Sequence, residues 1–213
     1  MLARSVEAPP RWLADVLAGR PVPPDDLALV FGAATHDLGR AGTRPNTREA
    51  ETLRGAGAHW AIRSTIDEVA RVLLLHTAVA ATDDAFALVR GLYAGGDSRE
   101  RAAILRTLGL LPDPLGLLAI ATEGCRTNVR SVFEAIACEN TYPARWFPDH
   151  AFRQMVLKAI FIGVPIARIE GLQTRTSDEL RRMARDYASE RIAAGRTVPD
   201  DVQALLEAGA GGT

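Results

Sequence analysis

From residue 149 to 162 the chain reads DHAFRQMVLKAIFI. At about 100° per residue, Phe152, Met155, Val156, Leu157, Ala159, Ile160, Phe161 and Ile162 surround nearly the whole circumference of this helix. A helix that is apolar on all sides is a buried one, so the rest of the chain has to supply helices to cover it. Gln154 and Lys158, one turn apart, share the only stripe left. A buried amide or ammonium is costly unless it is paired, so that stripe predicts polar partners or a cavity. For Lys158, the only lysine in the sequence, the expectation is a neighbouring carboxylate or a lowered pKa. Glu134, Glu139, Asp186 and Glu190 are the candidate partners.

The helices on either side carry the same mixture. Residues 126–139 form a first helix with an apolar arc of Val129, Val132, Phe133, Ile136 and Ala137. Arg126 and Arg130 border one edge of that arc, and Asn128 and Glu139 the other. In ENTYP, Asn140 and Pro143 predict a turn that lets Tyr142 and Trp146 pack over the helix end. A third helix opens with the capping box Thr176–Glu179 and closes at Gly195. Its arc is Leu180, Met183, Ala184, Tyr187 and Ala194, with Arg191 inside it and Glu190 on its border, both expected to be at least half buried. Polar groups on three neighbouring helices imply an internal polar site. The bland alternative is a salt-bridge and amide network that fixes how the helices dock.

The upstream chain is also helical in pattern. Short helices are expected near residues 10–19 and 25–39, closed by Gly19 and Gly39, then a polar loop over 41–57 with one turn at 47–53. Residues 64–80 predict a central helix, opened by the capping box Thr65–Glu68, with Ile66, Val69, Ala70, Leu73 and His76 on its face. Short helices at 83–93, 98–108 and 114–123 follow on tight turns and resemble hairpins of the HEAT kind. VPDDVQALLEAG reads as a last helix and AGAGGT as a frayed tail. The fold class is therefore all-α, a compact bundle of short antiparallel helices in one domain over 1–213.

Composition narrows the function. A chain of 213 residues that is 47% hydrophobic can bury a substantial core, and a net charge of −1 with scattered basic residues argues against a nucleic-acid surface. Cys125 and Cys138 have neither metal-ligand company nor redox spacing and read as reduced apolar side chains. No segment has the roughly 20 apolar residues of a membrane span, and MLARSVEAPPRW lacks a signal-peptide core, so a cytoplasmic protein that does not span the membrane is expected. Metalloprotease, serine-hydrolase and phosphate-loop motifs are all absent, which implies no metal and no cofactor.

The fragments RTN, VFEAIA, QMVLKA, GVP, EL, RM, DYA, ER and AAGR fall collinearly between Asp113 and Pro199, and this stretch resembles the EboA family of bacterial proteins. HWAIRSTIDEVARVLLL is similar to a family helix, whereas the helices and loop of residues 1–57 diverge. The resemblance implies an EboA-like core over 113–199 and an association with operons for secondary-metabolite traffic. It brings no accepted catalytic mechanism. Carried over by position, the polar pattern of the family falls on Arg126, Asn128, Glu134, Asn140, Tyr142, Gln154, Lys158, Arg175, Asp186, Tyr187, Glu190, Arg191 and Arg196.

Three functions fit this reading. The leading one is an accessory protein of secondary-metabolite biosynthesis and traffic that binds a largely apolar small-molecule precursor in a helical cavity. Gln154, Lys158, Asn128 and Arg191 would orient the polar end of that ligand. The second is a cofactor-free isomerase, cyclase or lyase with Glu134 or Glu139 as base and Lys158 or Tyr187 stabilising developing charge. The third is a helical-repeat adaptor for other proteins of the same pathway.

Overall fold

Asparagine, aspartate and serine side chains start several of the helices by accepting the free N–H groups of the first turn. Asn46 Oδ1 accepts from Glu49 N at 2.9 Å, Asp84 from Ala87 N at 2.8 Å, and Asp97 from Glu100 N at 2.9 Å. Glycines with positive φ close others at Gly19, Gly39 and Gly195, as the sequence predicts. The computed structural model describes residues 1–207, and the tail AGAGGT lies outside them.

In chain order the helices are α1 (Leu2–Ser5), α2 (Arg11–Leu17), α3 (Pro24–Leu38), α4 (Thr47–Gly55), α5 (Ile66–Ala80), α6 (Ala85–Gly95) and α7 (Ser98–Thr107). Then come α8 (Leu118–Arg126), α9 (Arg130–Ala137), α10 (Tyr142–Trp146), α11 (Asp149–Phe161), α12 (Leu172–Arg175), α13 (Asp178–Ala193) and α14 (Asp200–Glu207). Short 3-10 turns join some of them, and among the described residues there is no strand, only an isolated bridge between Gly42 and Thr65.

The dominant packing is between alternate helices, with α3 on α5, α5 on α7 and α7 on α9. α6 lies across α5 and α7, α8 across α7 and α9, and α11 against α9. One continuous core runs through the row, from Leu27 and Phe31 to Phe133, Phe152 and Leu180. α8 approaches α7 closely because residue 124 is glycine: a Cβ there would stand 2.7 Å from Leu105 Cδ1.

α5 is the central helix, as expected, and Ile66, Val69 and Ala70 are buried as expected, but its buried arc is wider. Leu74, Leu75, Ala78 and Val79 are buried together with Asp67 and Arg71, while His76, expected on the core face, is exposed. The reason is that α3 and α7 both pack on the side that carries Asp67 and Arg71. Arg71 is 2% exposed and Asp67 0%. Arg71 donates to Phe31 O at 2.8 Å, to Asp67 Oδ2 at 2.8 Å and to Thr35 Oγ1 at 3.0 Å. Asp67 also accepts from Thr35 at 2.7 Å and from Arg99 at 2.8 Å. One carboxylate thus ties α3, α5 and α7 together.

Burial by itself would raise the pKa of Asp67, but the hydrogen bonds from Thr65, Thr35 and Arg99 outweigh it and hold the group at about 2 instead of 3.8. The folded value lies below the unfolded one, so the stabilisation is complete above 3.8 and is lost as pH falls from there toward about 2. Asp67→Ala, which strands two arginines, is expected to lower the unfolding free energy by about 3–5 kcal/mol in urea titrations at neutral pH. The gap between variant and wild type should narrow in the same titrations as pH approaches that acid range.

Candidate functional site

The site begins where α8 stops. The sequence predicts one helix over 126–139, yet the chain leaves helical geometry at Thr127 and re-enters it at Arg130. Two groups hold that break. Thr127 Oγ1 accepts from Val129 N at 3.1 Å, a local turn that competes with helix. Lys158, reaching across from α11, donates to Cys125 O at 2.7 Å and Thr127 O at 2.6 Å. An ammonium at the carbonyl end of a helix is favoured by the backbone dipoles as well as by the hydrogen bonds. Lys158 Nζ also stands 5.1 Å from the centroid of the Phe133 ring.

The carboxylate partner expected for Lys158 is therefore replaced by carbonyl oxygens, because α11 faces the end of α8 and not the acidic residues. Its pKa is lowered, as expected, through burial. The thiol of Cys125 is also pushed up by burial, to about 12, which leaves it protonated and unreactive at neutral pH.

Beside this corner lies a groove of about 430 Å³. Thr122, Cys125 and Arg126 form the α8 wall, Ala151, Gln154, Met155 and Lys158 the α11 wall, and Phe147 and His150 close the end. Gln154, Arg126 and His150 are exposed at its mouth, so the hollow is an open groove and not the enclosed interior chamber expected. Of the residues singled out in the sequence, it gathers Arg126, Gln154 and Lys158. Asn128, exposed in the α8–α9 link, is not among its walls.

The carboxylates lie elsewhere. Arg168, in the turn after α11, donates to Glu134 Oε2 at 2.8 Å and to both carboxylate oxygens of Glu139 at 2.8 and 3.0 Å. Arg130 takes the other oxygen of Glu134 at 2.7 Å. Burial would raise the pKa of Glu134, but the two arginines bring it below the usual carboxylate range, the opposite of what a general base needs. Arg168 falls outside the patterned helices, and only the need of two half-buried glutamates for a cation could have pointed to it.

Other residues of the expected site are structural. Asn140 is buried and donates to Leu105 O at 3.2 Å and Ala135 O at 2.9 Å, and Tyr142 donates its hydroxyl proton to Pro114 O. Tyr142 packs on Trp146 with ring centroids 4.9 Å apart. Arg175 gathers the carbonyls of Pro143, Ala144 and Phe147 and reaches Asp149 at 2.6 Å.

On α13 the N-cap is Ser177, one residue later than expected, and Glu179 pairs with Arg182 at 2.7 Å. Asp186 also pairs with Arg182 and is exposed, and so are Glu190 and Arg196; the burial expected of Glu190 does not occur. Arg191 is partly buried and donates to Thr197 O at 2.6 Å, closing the end of α13 beside Tyr187. α13 points these charges to solvent because its packed side is narrow, with only Leu180 and Ala184 fully covered.

Among the described residues no group of three or more His, Cys, Asp or Glu could hold a metal ion, and no helix is long and apolar enough to cross a membrane. The family described as metabolite traffic protein EboA matches residues 25–207, well upstream of residue 113, where the motif resemblance starts. No curated protein and no solved structure matches the chain.

The two cations at this end of the molecule should respond differently to removal. Lys158→Met leaves carbonyls that water can reach and is expected to cost about 1–2 kcal/mol. Arg168→Met strands Glu139 and leaves Glu134 with Arg130 alone, and is expected to cost about 3 kcal/mol or more. Urea unfolding of the two variants at neutral pH checks the order, and a larger loss from Lys158→Met would contradict this account.

Proposed function

The chain belongs to the EboA family, described as metabolite traffic proteins, and from that premise we propose that it is an accessory protein that binds a small biosynthetic intermediate in the groove between α8 and α11. The observation that carries this reading is convergence. Arg126, Gln154 and Lys158 come from two helices, and the sequence had singled them out by phase and by family position. They meet around one hollow of about 430 Å³, a size suited to a small ligand. Phe147, Ala151 and Met155 supply apolar wall beneath those polar groups. That division matches a ligand with a hydrophobic body and one polar end.

Binding is favoured over turnover by where the acids are. Proton transfer by the candidate bases would need Glu134 or Glu139 within hydrogen-bond reach of the ligand. No carboxylate lines the groove, and Glu134 and Glu139 are occupied by Arg168. Tyr187, the other candidate for stabilising charge, stacks near Phe161 and Arg191 and is not part of the wall.

Ala151 offers a way to fill the groove without disturbing the core, since it is partly exposed on the first turns of α11. Wild-type protein recovered from cells that make the intermediate is expected to carry a small-molecule adduct by native mass spectrometry. Ala151→Trp is expected to lose that adduct while its thermal midpoint stays within about 3 °C of wild type. Retention of the same adduct by the filled variant would defeat the proposal.

A further inference from the structure

The walls of the α8–α11 groove carry positive charge and no negative charge. The cations Arg126 and Lys158 face it, beside the imidazole of His150, and none of its nine lining residues is acidic. Lys158 has three N–H donors, and two of them are spent on Cys125 O and Thr127 O. Those acceptors are dipoles, so they satisfy hydrogen bonds and leave the net charge in place. Arg126 is exposed at the end of α8 and enters none of the ion pairs among the described residues, and neither does Glu123, one turn before it on the same helix; Glu134 and Glu139 are held by Arg130 and Arg168.

The neighbouring arginines are treated differently. Arg101 on α7 donates to Tyr93 O at 3.0 Å and Ala94 O at 3.1 Å, and Arg175 makes four hydrogen bonds. Arg126 makes no such contact among the described residues. It also borders a second hollow of about 260 Å³, lined in part by Tyr93, Glu123, Val129 and Val132.

We infer that the ligand of the groove is an amphiphile with an oxyanion head, held between the third donor of Lys158 and the guanidinium of Arg126. The apolar body would lie along Phe147, Ala151 and Met155. This rests on the proposed role of the groove and adds the chemical class of its occupant. A carboxylate or a phosphate monoester suits these donors, since each presents two or more oxygens to an arginine fork and an ammonium. The phosphate carries about two negative charges against about one for the carboxylate, so it answers both cations. The ammonium is fixed by its two carbonyls and needs little reordering to bind, which favours affinity.

Because Lys158 is the only lysine in the sequence, protein labelled with 13C-lysine gives a single side-chain signal that reports from inside the groove. Decyl phosphate, decanoate, decanol and decyltrimethylammonium, each kept below its micelle concentration, are the probes. The two anions are expected to move the Lys158 signal saturably, and the ammonium probe to leave it unmoved. Decanol should bind at least tenfold more weakly than the anions. Arg126→Gln, at an exposed site, is expected to weaken both anions about tenfold and leave decanol unchanged.

Decyl phosphate binding more tightly than decanoate would assign both cations to the head group, and equal affinities would assign one. If decanol matches the anions, the oxyanion class is wrong while the groove remains a binding place. If none of the four moves the signal, the groove reading fails with it.

Discussion

Two carbonyl oxygens left over at the end of α8 need a donor, and the ammonium of Lys158 supplies it from a different helix. Most consequences at the candidate site follow from that bond. It holds the corner at which α8 gives way to α9 and brings α11 alongside α8, so a groove lies between them. It also keeps a positive charge at the groove wall without neutralising it. A carboxylate in the same place would have produced an inert ion pair. Carbonyl dipoles anchor the cation and leave it able to attract an anion.

The arginines show the opposite arrangement. Arg71, Arg168 and Arg175 each direct a planar fork of donors at acceptors from separate segments, which a compact ammonium could not span. Arg71 joins α3 to α5, Arg168 joins α9 to the turn after α11, and Arg175 holds the α10–α11 corner. Glu139 illustrates how firmly these clamps act. It has a left-handed backbone with φ of 50°, unusual for a residue with a side chain, yet both of its carboxylate oxygens are bound by Arg168 and its N–H donates to Arg168 O at 2.8 Å. Charge inside this fold is mostly mortar between helices. The groove is where two cations, Arg126 and Lys158, are left without a carboxylate.

Much of the framework was legible because helical phase is a local property. α11 forms over nearly the expected residues and buries Phe152, Met155, Val156, Ala159 and Ile160, though Phe161 and Ile162, expected to be covered, are exposed at its end, and α5 is the central helix. The partnership of Gln154 with Lys158 followed from the same phase. The errors share one cause, namely that phase says which residues share a side and not which neighbour covers it. His76 had the right spacing for the core and faces solvent, while Asp67 and Arg71, which the pattern did not single out, are buried, because α3 and α7 cover that side of α5. The same limit explains α13, where periodicity put Glu190 on the border of the apolar arc and the residue remains exposed, as does Asp186, a candidate partner of Lys158.

The sequence by itself determined an all-helical chain, the apolar circumference of α11 and the stripe on which its amide and ammonium lie, since these depend only on residue order and helix geometry. Tertiary structure alone decided that the ammonium meets carbonyls and not a carboxylate, that Arg168 claims both glutamates, and that the hollow opens to the surface. Those outcomes depend on which segments, distant in sequence, come within about 3 Å of one another, and at that range a hydrogen bond is made or lost.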